Sequence, residues 1–328
     1  MVDVSAGLGR GATKARVDID ATRTYSAFGL VIASDFELQA LTPVIGTPTK
    51  IDLHVKRATG VIRDRNRPAD PWFEITPDAQ YMFWHVIGGF LVEDERTIRV
   101  EPLEDVSDHL VSQALLGLVI SIVLDRRGYI CLHAGAVDVD GSAAVLLGDK
   151  GAGKSTSSAA MMQAGHQPIT DDLVAIDLNE DAAHPPRIQP GFPSLKLWPD
   201  SIAALELAPH DTDRLIHPKT TKVQKRTPLE LSKTPVRFGA GFVLDRTHET
   251  EAPRIVRLAP HEALQSVLRY TFLARYGETS LGPTHLVDHM KRCSALVAQV
   301  PMFRLIYPEA LHRLDDLVAL ISDTCRAG

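Results

Sequence analysis

The segment Gly148-Asp149-Lys150-Gly151-Ala152-Gly153-Lys154-Ser155 fits G-x-x-x-x-G-K-[ST] and constrains the chain more than anything else in it. Such a loop works only between a strand and a helix. Its glycines let backbone N–H groups converge on a phosphate without Cβ atoms in the way. The helix that follows turns its positive end toward the same anion. The flanks supply both elements. Ala143 to Leu147 is a short apolar run of strand composition, and Ser155 to Ala164 can form a helix that stops at Gly165. Gly148, Asp149, Lys150, Gly151, Ala152, Gly153, Lys154, Ser155 and Thr156 are therefore the candidate nucleotide-binding residues. Lys154 offers a point charge to the β- and γ-phosphates, and the Ser155 hydroxyl can ligate Mg²⁺.

The chain has 328 residues, enough for two domains or one elaborated domain. A net charge of −6 argues against a general nucleic-acid binder, which carries a basic face. Cys131, Cys293 and Cys325 are too few and too scattered for a disulfide framework or a zinc site. They read as reduced thiols of a cytoplasmic protein. The longest apolar stretch, Leu110 to Leu124, is broken by Ser112, Gln113 and Ser121, so no membrane span is expected.

Residues 1–23 read as a flexible tail and 24–106 as a small β-rich module. Its expected strands are Tyr25–Ile32, Ile51–Lys56, Gln80–Val86, Gly89–Val92 and Thr97–Val100. Residues 107–126 have helical apolar spacing and should be buried between the two parts of the protein. They open a catalytic domain covering 107–328. Tyr129–Val139 and Ser142–Leu147 flank Asp140-Gly141, a strong hairpin signal. Pairing Val139 with Ser142 puts His133 opposite Gly148. The strand ending in Asp171-Asp172 follows the loop helix at once, which suggests a βαβ unit with that strand beside the loop strand. Both aspartates should then lie near Lys154 and Ser155, because working groups collect at the carboxyl ends of such strands. Residues 183–235 read as irregular. They contain a basic run from Arg214 to Arg226 that could clamp phosphate or an acidic peptide, or simply be a solvated loop. Lys196 could touch a phosphate, although a lone lysine in a Pro-rich loop is more often at the surface. No His-x-x-x-His ligand pair is expected among the remaining histidines. The fold class expected is α/β with a mixed sheet.

A phosphate loop, two adjacent carboxylates and a histidine suit phosphoryl transfer, where catalysis is mostly positioning and charge neutralisation. One of Asp171 and Asp172 would serve a metal. The other, or His133, would accept the proton of an acceptor hydroxyl.

Leu132-His133-Ala134-Gly135-Ala136-Val137, the phosphate loop, and Gly165-His166 followed by Thr170-Asp171-Asp172 together resemble the catalytic domain of HPr kinase/phosphorylase. The resemblance implies a P-loop fold akin to phosphoenolpyruvate carboxykinase and an ATP- and magnesium-dependent serine kinase. It implies catalytic roles for His133, Lys154, Asp171 and Asp172, with Ser155 and one aspartate on Mg²⁺. Tyr25 to Leu30, Leu115-Leu116-Gly117 and Pro190 to Trp198 are similar to the HPr-kinase-related proteins of lasso peptide biosynthesis. Those phosphorylate a precursor peptide, on its C-terminal serine where that is known. The glycine-rich signature that true HPr kinases carry after the aspartates is missing, and Pro190–Pro199 stands in its place. A precursor peptide is thus the expected partner, with neither nucleic acid nor membrane, and homo-oligomerisation stays open. The alternatives are a kinase of another protein or of a small alcohol, or a nucleotide-sensing module.

Overall fold

The computed structural model describes residues 22–66, 71–76, 80–178, 184–192, 194–217, 219–227, 230–276, 283–309 and 311–327. Eight strands form the first sheet: β1 (Arg23–Ala27), β2 (Leu30–Ser34), β3 (Thr42–Pro43), β4 (Leu53–Arg57), β5 (Trp72–Ile75), β6 (Gln80–Trp84), β7 (Gly88–Val92) and β8 (Thr97–Pro102). Their order is β3-β1-β2-β4-β8-β7-β6-β5. The expected strand Tyr25–Ile32 is in fact a hairpin. Phe28 and Gly29 take φ of 54° and 73° and form its turn, a conformation that Phe seldom adopts and that local sequence does not announce. Arg23, assigned to the tail, already belongs to β1; residues 1–21 lie outside the described residues.

Residues 108–126 are helical, as α1 (Asp108–Ala114), a π segment (Leu115–Val119) and α2 (Ile120–Arg126). By length and apolarity this helix could cross a membrane, but 61% of its apolar window is buried inside the protein. It packs beneath the first sheet in one core with Leu173, Phe192 and Phe272 of the second half.

The second half contains β9 (Ile130–Leu132), β10 (Gly135–Val139), β11 (Ser142–Leu147), α3 (Lys154–Gln163), β12 (Gln167–Thr170), β13 (Val174–Asp177) and β14 (Arg187–Gln189). Then come β15 (Ser194–Leu197), α4 (Pro199–Ala204), β16 (Arg214–Leu215), β17 (Val223–Arg226), β18 (Val236–Thr247) and β19 (Arg254–Arg257). The chain closes with α5 (Pro260–Tyr270), α6 (Pro283–Gln299), β20 (Met302–Pro308) and α7 (Leu314–Ala327). The sheet runs β12-β10-β11-β18-β14-β13-β9, with β20 on β18 and β19 on β20. It is mixed: β11 is parallel to β18, and β18 to β20, while β10 is antiparallel to both its neighbours.

Three expectations change here. Val139 does pair with Ser142, but the ladder stops at Gly135 and Leu146. Tyr129–Val139 is two strands, and β9 leaves to pair with β13. The strand after the loop helix is not beside the loop strand: β12 lies beyond β10, so the crossover from β11 skips one strand. Residues 183–235 are not irregular, since β15, β17 and β16 form a small antiparallel sheet.

Candidate active site

The phosphate loop leaves the end of β11 and turns into α3 through Gly151 and Gly153, at φ of 89° and 91°. Gly153 is required twice over. A Cβ there would stand 2.5 Å from the Tyr307 hydroxyl, which itself donates to the Ala152 carbonyl and pins the loop to β20. Burial pushes the Tyr307 phenol up to about 12, so it remains a donor. On the other side, Arg269 of α5 makes two bonds to the Asp149 carboxylate, 2.7 and 3.0 Å. Lys154 is buried, and its ammonium donates to the Gly148 and Asp149 carbonyls at 2.7 and 3.2 Å. Thr156 exchanges a hydrogen bond with Ser201 of α4.

The two aspartates diverge. Asp171 directly follows β12 and is buried at the foot of α3, where the Ser155 hydroxyl donates to it at 3.0 Å and the Lys196 N–H at 3.1 Å. Gly135 makes this approach possible: a Cβ there would sit 2.7 Å from Ser158 Oγ and 3.4 Å from Asp171 Oδ1. Asp172 takes φ of 68°, a left-handed turn that Asp tolerates better than most residues. Its carboxylate is thereby directed to the Lys196 ammonium, 2.7 Å away. The His133 Nδ1–H donates to the Asp172 carbonyl at 3.0 Å. His133 thus reaches the site through a bend after β9, with its own N–H bonded to the Tyr270 carbonyl, rather than through the hairpin ladder.

The electrostatics separate the pair. Burial, then the neighbouring Asp172 charge, pushes the Asp171 carboxyl up. Burial pushes Asp172 the same way, but Lys196, His133 and Lys222 outweigh it and hold Asp172 below the usual carboxylate range. Burial, with Lys154 and Arg275, lowers His133 to about 4, so it is neutral near pH 7. With Nδ1–H donated, its Nε2 is an acceptor.

These groups open into a cleft of about 760 Å³ that exposes Lys154, Ser155, Asp172, His133 and Lys196 to a ligand. The sequence reading favoured a surface position for Lys196 over a phosphate contact and did not expect its pairing with Asp172, because its neighbours look like a loop when β15 is not recognised. It also missed Arg275 and Arg246 at the rim. The basic run is not one clamp. Lys222 faces the cleft, Lys225 is held by Asp213 at 2.5 Å, and Arg214 and Arg226 line a second cavity with Arg23. His285 and His289 do stand four residues apart on α6, against expectation, but they face Asp125 together with Arg292, whose guanidinium repels a cation.

Could the site hold Mg²⁺? The donors are oxygens, Ser155 Oγ and the Asp171 carboxylate. Among the described residues no cluster of three or more His, Cys, Asp or Glu side chains forms a protein cage. That fits a cation bound by few carboxylates plus substrate phosphates.

No family model matches the chain, and no curated protein matches it. Among solved structures it is similar to the Hpr(Ser) kinase/phosphatase from Coxiella burnetii, at 12% identity and a TM-score of 0.29, over 60% of this chain and 88% of that one.

Proposed function

We propose that the protein is an ATP- and Mg²⁺-dependent kinase that phosphorylates a serine hydroxyl of a peptide, with a ribosomally made precursor peptide as the substrate class. The observation that carries this reading is the division of labour between neighbouring aspartates. Asp171 is bonded to the hydroxyl of the phosphate-loop serine, and Asp172 is turned to a lysine and a histidine at the cleft surface. A site that only sensed nucleotide would have no use for the second carboxylate.

In this reading the loop N–H groups and Lys154 hold the triphosphate, while Ser155 and Asp171 hold Mg²⁺, which neutralises charge on the phosphates when bound. Asp172 stands where it can accept the proton of the incoming hydroxyl. The bond from the γ-phosphorus to the bridging oxygen breaks as the bond to the acceptor oxygen forms, and ADP leaves. Lys196, paired with Asp172, keeps that carboxylate ionised and orients it. Neutral His133 positions the Asp172 backbone and leaves Nε2 as an acceptor. The similarity of the motifs to HPr kinase-related peptide kinases supports a serine acceptor.

The test is incubation of purified protein with Mg-ATP and a panel of serine-containing precursor peptides, read by mass spectrometry. Gain of a phosphate that disappears in Asp172→Asn is the expected result. An unchanged peptide mass across the panel, with Mg-ATP bound, would refute the peptide assignment.

A further inference from the structure

The side of the cleft away from the phosphate loop is apolar and has no role in the chemistry just described. Trp84 and Ile87 come from the first sheet and its β6–β7 turn, Gly117 and Leu118 from the π segment, and Phe272 from the stretch after α5. Trp84, Ile87, Leu118 and Phe272 belong to the core beneath the first sheet. Tyr307 and Leu314, across the cleft, belong to a different core. Two separate cores therefore supply the two walls of one cleft.

The apolar wall reaches His133. The Phe272 ring meets His133 edge-on at 5.9 Å between centroids, and His133 is bonded to the backbone carbonyl of Asp172. Ile87 and Phe272 are buried, so the part of this wall a ligand can cover is Trp84, Leu118 and Gly117, which are half-buried. Phosphates and cations have no use for such a surface. The π segment points the same way. Such bulges interrupt the regular helix and recur at functional sites. This one carries Gly117, a poor helix residue, at a position where an added Cβ would meet nothing within 4 Å. Neither packing nor backbone conformation requires a glycine there, and the position lines the cleft.

We propose that this wall is the acceptor subsite, and that it takes a bulky aliphatic or aromatic side chain adjoining the phosphorylated hydroxyl of a polypeptide. The inference rests on the kinase reading above. A small polyol has no group to cover the wall, whereas a peptide residue next to serine does.

The test uses full-length wild-type, Gly117→Leu and Gly117→Ala proteins with Mg-ATP and two synthetic serine peptides. In one the serine is flanked by leucine and phenylalanine, in the other by glycines. Wild type should favour the apolar-flanked peptide by about tenfold or more in kcat/KM, the scale of side-chain discrimination by an apolar pocket. Gly117→Leu should lose most of that preference through the peptide KM, while its KM for ATP stays within about twofold. Gly117→Ala, one methyl in open space, should fall between and provides the same reading if the leucine variant does not fold. Equal use of both peptides by wild type overturns the proposal, as does an equal loss of peptide and ATP affinity in the variants. Wild type that hydrolyses Mg-ATP but phosphorylates neither peptide overturns it too, and turnover of glycerol would then make the acceptor a metabolite. Failure of wild type to bind Mg-ATP at all refutes the kinase reading underneath.

Discussion

At the residue scale, the neighbouring aspartates have opposite environments and should respond oppositely to mutation. Asp172→Asn removes the proposed proton acceptor, and kcat should fall by about 10²- to 10⁴-fold with little change in Mg²⁺ requirement. Asp171→Asn should instead raise the Mg²⁺ concentration needed for half-maximal rate. The pH dependence follows from the same asymmetry. In the proposed site the metal needs Asp171 ionised, and burial has raised that carboxyl above its usual value. Protons therefore compete with Mg²⁺ at a higher pH than an ordinary carboxylate would allow. Apparent Mg²⁺ affinity should drop as pH falls from 7.5 toward 5.5, and excess Mg²⁺ should restore the rate. His133, lowered to about 4, adds no titration in that range. Magnesium titrations at several pH values check this, and a pH-independent affinity would contradict the assignment. Lys154→Ala, which removes a charged donor to the phosphates, should cost on the order of 100-fold in turnover, measured as steady-state ATP consumption.

Elements were legible where one periodicity ruled them and hidden where a contact from elsewhere decided the backbone. The loop, its flanking strand and helix, and the Asp140-Gly141 turn could be read because each signal is local. The split of Tyr129–Val139 could not, since β9 is drawn away by pairing with β13, a partner some 40 residues on by chain numbering. β15–β17 were missed because they are only two to four residues long and are set among proline-rich and charged stretches that read as loop. For the site, the same limit applied to Lys196, whereas Asp171 and Asp172 were visible from their position after the loop helix. The α2–α6 contact is an element-scale case with its own prediction. Asp125 accepts from Arg292 at 3.0 Å and is paired with His285 and His289. Burial pushes Asp125 up, but His285 and Arg292 outweigh it and the net shift is downward. Burial lowers His289. An unfolded chain takes up a proton at His289 near pH 6.5 while the folded one resists, so stability should decline as pH falls below about 6.5, by at most about 1.4 kcal/mol per pH unit. The Asp125 contribution, present above its unfolded value, is lost at lower pH still. Urea midpoints measured between pH 7.5 and 5 should fall in wild type and flatten in His289→Gln.

At the scale of the whole molecule, the first sheet and the half that carries the phosphate loop are joined by more than the helix between them. The tip of the β1–β2 hairpin inserts into the second half. Phe28 is fully buried, its N–H donates to the Pro190 carbonyl at 2.7 Å, and its ring meets Phe192 edge-on at 6.0 Å. Gly191 fits between Phe28 and Thr170, where an added Cβ would lie 3.1 Å from the Phe28 ring and 2.2 Å from Thr170 Oγ1. Thr170 precedes Asp171, so a chain of direct contacts runs from the first sheet to the metal-side carboxylate. The sequence showed the Pro190–Pro199 segment as part of a resemblance and in the place of a missing signature; the fold shows what its first residues pack against. Phe28→Ala should cost about 3–5 kcal/mol of stability, the usual loss for a buried aromatic. It should also weaken Mg²⁺ binding, because Thr170 and Asp171 lose their backing. Two readings made on one sample check both parts, a urea midpoint and a Mg²⁺ titration of ATP turnover at a temperature where the variant is still folded. A large fall in the midpoint with an unchanged Mg²⁺ requirement would show that the contact serves stability alone.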